Sequence, residues 1–241
     1  MKINCLSVTF WFNIFDKHLE FLETLRNALM NEFQNFNINN RNNNMLFPII
    51  SAVNNEKKTN LTMSQINLQY NMDNVSSKDF QAFKETVLNL FEILQENGVE
   101  VMHTALFINS EFAVDEALNK ITNSILNNNL VNNDLVDASI KIGKKEEDLF
   151  YKVITILNKK QIKLPRKIDD LGRVVPIPLI SWNGCLIENE IIEFSYELND
   201  KYSFDFTKNY HTTEFYLNKM LYLLENNYQN DIQNLIENGQ I

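Results

Sequence analysis

Between Gln65 and Met72 the chain alternates without a break, with Ile66, Leu68, Tyr70 and Met72 apolar and Gln65, Asn67, Gln69 and Asn71 polar. Successive side chains of an extended strand point to opposite sides, so this stretch reads as a half-buried strand with one dry face and one wet, uncharged face. A row of amides without charge is poorly suited to plain solubility and well suited to meeting another polar surface. Gln65, Asn67, Gln69 and Asn71 are therefore candidates for binding a protein partner.

The neighbouring patterns place that strand in a larger unit. Ile3 to Phe15 is β-branched and aromatic, a central strand. Asp16 offers a helix cap, and Leu19, Leu22, Leu25, Leu29, Phe33 and Phe36 recur at helical spacing until the Asn-rich stretch from Asn37 to Asn44. Met45 to Val53 predicts a strand whose Pro48 puts it at an edge or a start, and Asn54 to Asn60 a turn. After the alternating strand, Ser76 or Ser77 caps a helix striped by Phe80, Phe83, Val87, Leu90, Phe91 and Leu94, with Asn97-Gly98 as its stop. Val99 to Asn109 follows as a strand. The first 110 residues thus read strand, helix, strand, strand, helix, strand, the ferredoxin-like βαββαβ order.

Residues 111–241 form a second α+β half. Ala113 to Leu126 carries a weaker helical stripe, and strands over Leu135–Ile142 and Leu149–Leu157 flank a charged turn at Gly143 to Asp148. Asn158 to Arg173 is the longest loop, the default location for binding. Val174–Trp182 and Leu186–Leu198 pattern as a hairpin around Asn183-Gly184, Tyr202 to Thr207 as a short strand, and Thr212 to Asn238 as a long final helix. The fold class expected is α+β, with a ferredoxin-like N-terminal half and a mixed or antiparallel second sheet region. The halves are either two modules or one continuous domain.

Composition limits the function classes. A chain of 241 residues, 44% hydrophobic, can bury an ordinary core. Its net charge of −9, from 31 acidic and 22 basic residues, leaves no electrostatic footprint for duplex DNA or anionic lipid, so no general nucleic-acid binding is expected. No apolar run approaches the roughly 18 residues needed to cross a bilayer, and the start lacks the apolar region of a signal peptide; the expectation is a cytoplasmic protein with no membrane attachment. The five glycines are too far apart for GxGxxG or GxxxxGK[ST] phosphate loops. The 38 asparagines read as a genome composition bias, their runs marking where elements stop.

Residues able to carry chemistry are few. His18, His103 and His211 show no metal-ligand spacing. His18 and His211 flank helices and are expected to be exposed. His103 lies within a strand, at a sheet boundary or buried with a partner, and is the one histidine that could face a ligand. Glu188 and Glu190 fall on one strand face with Asp205 on the next strand, a candidate acidic site for a divalent cation, although the ExK pattern of nucleases is missing. Cys5 and Cys185 read as reduced, buried thiols. No GxSxG elbow is present, and Asp169 to Arg173 lacks the ligand spacing of a calcium loop. The aromatics Phe10, Trp11, Phe12 and Phe15, with Phe194, Tyr196, Tyr202, Phe204 and Phe206, are core candidates whose alternative is a ligand pocket. No cofactor and no metal are expected.

Leu46-Phe47-Pro48, the Phe80 and Phe83 helix leading into His103-Thr104-Ala105-Leu106-Phe107-Ile108-Asn109, and Phe204-Asp205-Phe206 before a long helix carry a resemblance. In these the chain resembles a sporadically distributed family of uncharacterised bacterial proteins of similar length. Met102, Thr104 and Leu106 stand where that family usually has arginines and glycine, and only Phe107-Ile108-Asn109 keeps its strand ending. The resemblance implies no activity and no functional residues.

The function expected is therefore a non-enzymatic module that binds a protein, as a subunit or modulator in a bacterial or phage conflict system, with a homo-oligomer left open. Its alternatives are a metal-dependent hydrolase or nuclease using Glu188, Glu190 and Asp205, and a small-molecule sensor with an aromatic pocket.

Overall fold

A computed structural model describes residues 2–13, 19–30, 32–39, 47–76, 78–113, 137–147, 150–163, 166–168, 172–176, 186–201 and 210–238. In chain order the elements are β1 (Lys2–Phe12), α1 (Leu19–Leu29), β2 (Asn35–Ile38), β3 (Ile50–Asn54), β4 (Thr59–Met63), β5 (Asn67–Val75) and α2 (Asp79–Glu96). They continue with β6 (Val101–Ala113), β7 (Asp137–Glu146), β8 (Phe150–Lys163), β9 (Arg166–Ile168), β10 (Val174–Pro176), β11 (Leu186–Asn199) and α3 (Glu214–Asn238). Nine strands form one sheet in the order β2-β3-β4-β5-β1-β6-β11-β8-β7, while β9 and β10 pair with each other. Every neighbouring pair is antiparallel. The two halves of the sequence join where β6 pairs with β11, so a single sheet runs through both.

The register explains the layering. One row crosses the sheet as Phe36, Ala52, Leu61, Tyr70, Val8, Leu106, Leu198 and Lys152, apolar until its last member. The next row of the same parity holds Leu6, Ile108, Tyr196 and Ile154, all buried. Among the described residues all three helices cover this face. Phe91 of α2 meets Phe10, Phe83 of α2 stacks on Tyr70, and Tyr228 of α3 meets Phe194 and Tyr196. Leu22, Leu25 and Leu29 of α1 join the same core. Each such side chain taken fully out of water contributes about 1.5–3 kcal/mol, the term that holds helices to sheet.

Local chemistry sets the element ends. α2 stops in a Schellman turn: Val99 N–H donates to the Leu94 carbonyl and Gly98 N–H to that of Gln95, with Gly98 at φ 73°. In the β3–β4 turn the Asn54 carboxamide oxygen accepts from the amides of Glu56 and Lys57 while its nitrogen donates to the Glu32 carbonyl, a side chain standing in for a backbone turn. Ser64 does the same between β4 and β5, accepting from Ile66 and Asn67 amides and donating to Asn67 Oδ1 at 2.8 Å.

Several expectations change. Phe36 belongs to β2 and not to the first helix, because its partner Ala52 lies on the apolar row. The strand expected at Met45–Val53 is β3 and the expected turn lies over residues 55–58, but Thr59–Met63 is a further strand, β4, and β2 precedes both, so among the described residues four strands rather than two stand between the first two helices. Gly143 to Glu146 lies inside β7 instead of in a turn, and at Gly143 the ring of Tyr151 occupies the place a β-carbon would take. The segment expected to be the longest loop is strand as far as Lys163, and Arg166–Ile168 is β9. Of the strand expected at Val174–Trp182, Val174–Pro176 is β10 and pairs with β9, while residues 177–182 fall outside the described residues; β11 pairs with β6 and β8. Of the helix expected at Ala113–Leu126, Ala113 belongs to β6 and the rest, like the strand expected at Tyr202–Thr207, falls outside the described residues.

Candidate functional site

Two adjacent rows cross the face of the sheet turned away from the helices, and exposed Asp73 of β5 continues that face beyond Asn71. The first runs Asn37, Ser51, Thr62, Gln69, Thr9, Ala105 and Asn199, the second Asn35, Val53, Asn60, Asn71, Ser7, Phe107, Glu197 and Val153. Ser7, Thr9, Ala105, Val153 and Asn199 are buried. Over β2 to β5 the same rows are exposed or half-buried, and every member there is uncharged. Asn71 donates to Asn60 Oδ1 at 2.7 Å and Gln69 to Asn71 Oδ1 at 3.2 Å, so the amides form a short ladder across β4 and β5. Of the four residues singled out by alternation, Asn67, Gln69 and Asn71 take their places in β5 on this face, while Gln65 sits in the turn organised by Ser64.

At the end of the same face lies a second constellation. Asp200, just past β11, is fully buried and is surrounded by donors. Its Oδ1 accepts from Thr104 N–H at 2.9 Å and pairs with His103 Nδ1. Its Oδ2 accepts from the Tyr210 hydroxyl at 2.9 Å and from the Thr212 hydroxyl, to which Thr104 also donates. Burial and the adjacent Asp200 carboxylate push the Tyr210 phenol up, which keeps it a proton donor. Trp11 stacks on the His103 ring with centroids 4.7 Å apart. The β1–β6 register places Trp11 opposite His103, and Thr212 N–H bonds the Val101 carbonyl, so β1, β6, β11 and the approach to α3 all converge here.

His103, expected at a sheet boundary or buried with a partner, is half-buried and has Asp200 as its partner, a residue that sequence reasoning did not identify. Asp200 and Thr104 are 96 positions apart, and only the β6–β11 pairing brings them together. The one local signal was Tyr210-His211-Thr212-Thr213 ahead of a helix, a run of hydrogen-bonding residues too rich for a simple cap. His211 is exposed beside Glu100, as expected.

Of the acidic candidates, Glu188 and Glu190 are described only as members of β11. Glu188 and Glu190 lie in β11 near a register irregularity between Ile187 and Asn189, and Asp205 and Cys185 lie outside the described residues, as do His18 and Phe15. No group of three or more potential metal ligands occurs among the described residues. Cys5 is a free thiol, and burial with the neighbouring Asp73 pushes it up to about 12, far from a nucleophile's range. Phe10, Phe12, Phe194 and Tyr196 are spent in the core. A groove of about 460 Å³ between α2 and the start of α3 is lined by Glu85, Leu88, Asn89, Phe91, Glu92, Gln95 and Glu214. No helix is long and apolar enough to cross a membrane among the described residues.

No protein-family model and no curated protein sequence matches the chain.

Proposed function

We propose that the chain is a protein-binding module that docks a partner on the two uncharged rows that cross β2 to β5, bounded on β5 by Asp73, with a subunit or modulator of a bacterial or phage conflict system as its setting. The observation that carries this is a contrast of charge. A chain of net charge −9 keeps Asn35, Asn37, Ser51, Val53, Asn60, Thr62, Gln69 and Asn71 contiguous in the register without one ionisable group. The partner that fits is a protein surface rich in hydroxyl and amide groups, since a charged one would lose its hydration here without gaining a counter-ion. The unit presenting the surface is read as a ferredoxin-like core of β1, α1, β4, β5, α2 and β6, extended at its edge by β2 and β3. The order β4-β5-β1-β6, with helices following β1 and β5, supports that reading.

The test is affinity capture from the native host with the wild type beside Thr62→Lys and Gln69→Lys, two partly or fully exposed positions in mid-face. A partner held by the wild type and released by both variants, with unfolding midpoints unchanged, supports docking here. Sedimentation of the purified chain separates a second copy from a different protein. A partner retained by both variants, or a strict monomer that captures nothing, removes the proposal.

A further inference from the structure

We infer that His103 is a proton-accepting site, its Nδ1 tied to the buried Asp200 and its Nε2 left to take a proton or a hydrogen bond from a hydroxyl- or N–H-bearing ligand, water included. The geometry is specific. A neutral imidazole carries its proton on one ring nitrogen, and the hydrogen bond made by that nitrogen fixes which one it is. Asp200 offers only acceptor oxygens and already receives Thr104 N–H and two hydroxyls, so its share of the His103 contact is to accept the Nδ1 proton. The bare lone pair then belongs to Nε2, which has no partner among the described residues, while the ring retains 21% of its exposure. Trp11 covers one ring face and Asp200 holds the opposite edge of the ring from Nε2, so the imidazole is prevented from turning. A purely structural histidine needs neither a carboxylate with every lone pair engaged nor an open second nitrogen. When Nε2 takes a proton, the imidazolium is stabilised by the carboxylate, which keeps its own negative charge, and the proton leaves again by the same edge. Asp200 is the positioning residue, with Tyr210, Thr212 and Thr104 holding it in turn. This site lies at the end of the same sheet face, beyond the docking rows of β2 to β5, and its chemistry does not depend on them.

Diethyl pyrocarbonate tests the lone pair directly, without a known ligand. Attack by Nε2 on its carbonyl carbon forms an N–C bond, breaks the bond from that carbon to the anhydride oxygen and releases ethyl carbonate, which takes up the proton the acylated ring loses from Nδ1 and decays to carbon dioxide and ethanol. Peptide mass spectrometry at pH 8 follows His103 against His211, whose side chain is 47% exposed, as an internal reference. The expectation is that His103 reacts faster than His211 despite its lower exposure. In Asp200→Asn, which removes the charge at constant shape, its rate falls by about fivefold with that of His211 unchanged. A His103 slower than His211 in the wild type overturns the inference, as does a rate indifferent to Asp200→Asn. The comparison within the wild type decides the matter even where Asp200→Asn folds poorly.

Discussion

Lys152 and Asp200 are both charges buried where the sheet meets α3 or its approach, yet their surroundings differ. Lys152, on the helix-covered face of β8, reaches Glu146 at 3.0 Å and Asp231 of α3 at 3.1 Å, with its ammonium 5.9 Å from the Tyr196 ring. Both carboxylates lie at the rim, 21% and 16% exposed. Asp200 has no counter-ion of fixed charge among the described residues. It is held by a backbone amide, two hydroxyls and one imidazole, and water does not reach it. The first arrangement is an ionic clamp that fastens a helix. The second engages all the lone pairs of an anion and leaves one ring nitrogen open, which is costlier than fastening requires and is what a working histidine needs.

The two centres are separated most sharply by deleting their charges. Asp200→Ala leaves Thr104 N–H, two hydroxyls and His103 without their acceptor in a site closed to water, and is expected to lower unfolding stability by about 3–5 kcal/mol in urea titration. A loss under about 1 kcal/mol would show that water enters the cluster and that the carboxylate is not its organiser. Tyr210→Phe removes a single donor to the same carboxylate and is expected to cost about 1.5 kcal/mol, with no change between low and high salt. Lys152→Met keeps the aliphatic stem and removes only the ammonium. Because Glu146 and Asp231 can turn to solvent, about 1 kcal/mol is expected, and the gap to the wild type should shrink as salt rises. If Tyr210→Phe were the salt-sensitive variant and Lys152→Met the indifferent one, the contrast between the two centres would be wrong.

The same contrast shows what could be read from sequence. β5 and α2 were legible because their periodicities are local: Leu68, Tyr70 and Met72 point into the core, as do Phe80, Phe83, Val87, Leu90 and Leu94. The helix of Phe215 and Tyr216 was legible too, though Phe215 itself is exposed, since one apolar position on a long stripe says little about where the stripe ends. β2 and β4 were not legible. They are short, rich in Asn and Thr, and made into strands by their neighbours across the ladder. Asn183-Gly184 points to a local hairpin, whereas the pairing of β11 with β6 and β8 is a long-range event that no turn signal announces. Without that pairing His103 could be placed at a sheet boundary, but the carboxylate beside it could not be identified.

Alkaline titration gives the finest separation of the two centres. Burial alone would draw the Lys152 ammonium down, but the hydrogen bonds and charges of Glu146 and Asp231 overcome it and leave the group above its ordinary value of 10.5. A base whose folded value is raised contributes stability that is fully present below the unfolded value and is lost as pH rises through the folded one. The stability gap between wild type and Lys152→Met should therefore be flat up to 10.5 and close above it, where the ammonium is neutral in both states. Tyr210 behaves with the opposite charge logic. Its phenol, held up by burial and by Asp200, must stay protonated to donate, so the unfolded chain ionises first and stability falls as pH passes 10.0. That fall should be blunted in Tyr210→Phe and retained in Lys152→Met. A gap for Lys152→Met that persists unchanged well above the lysine range would mean that the ammonium is held by packing of its stem and that the ionic clamp carries none of the difference.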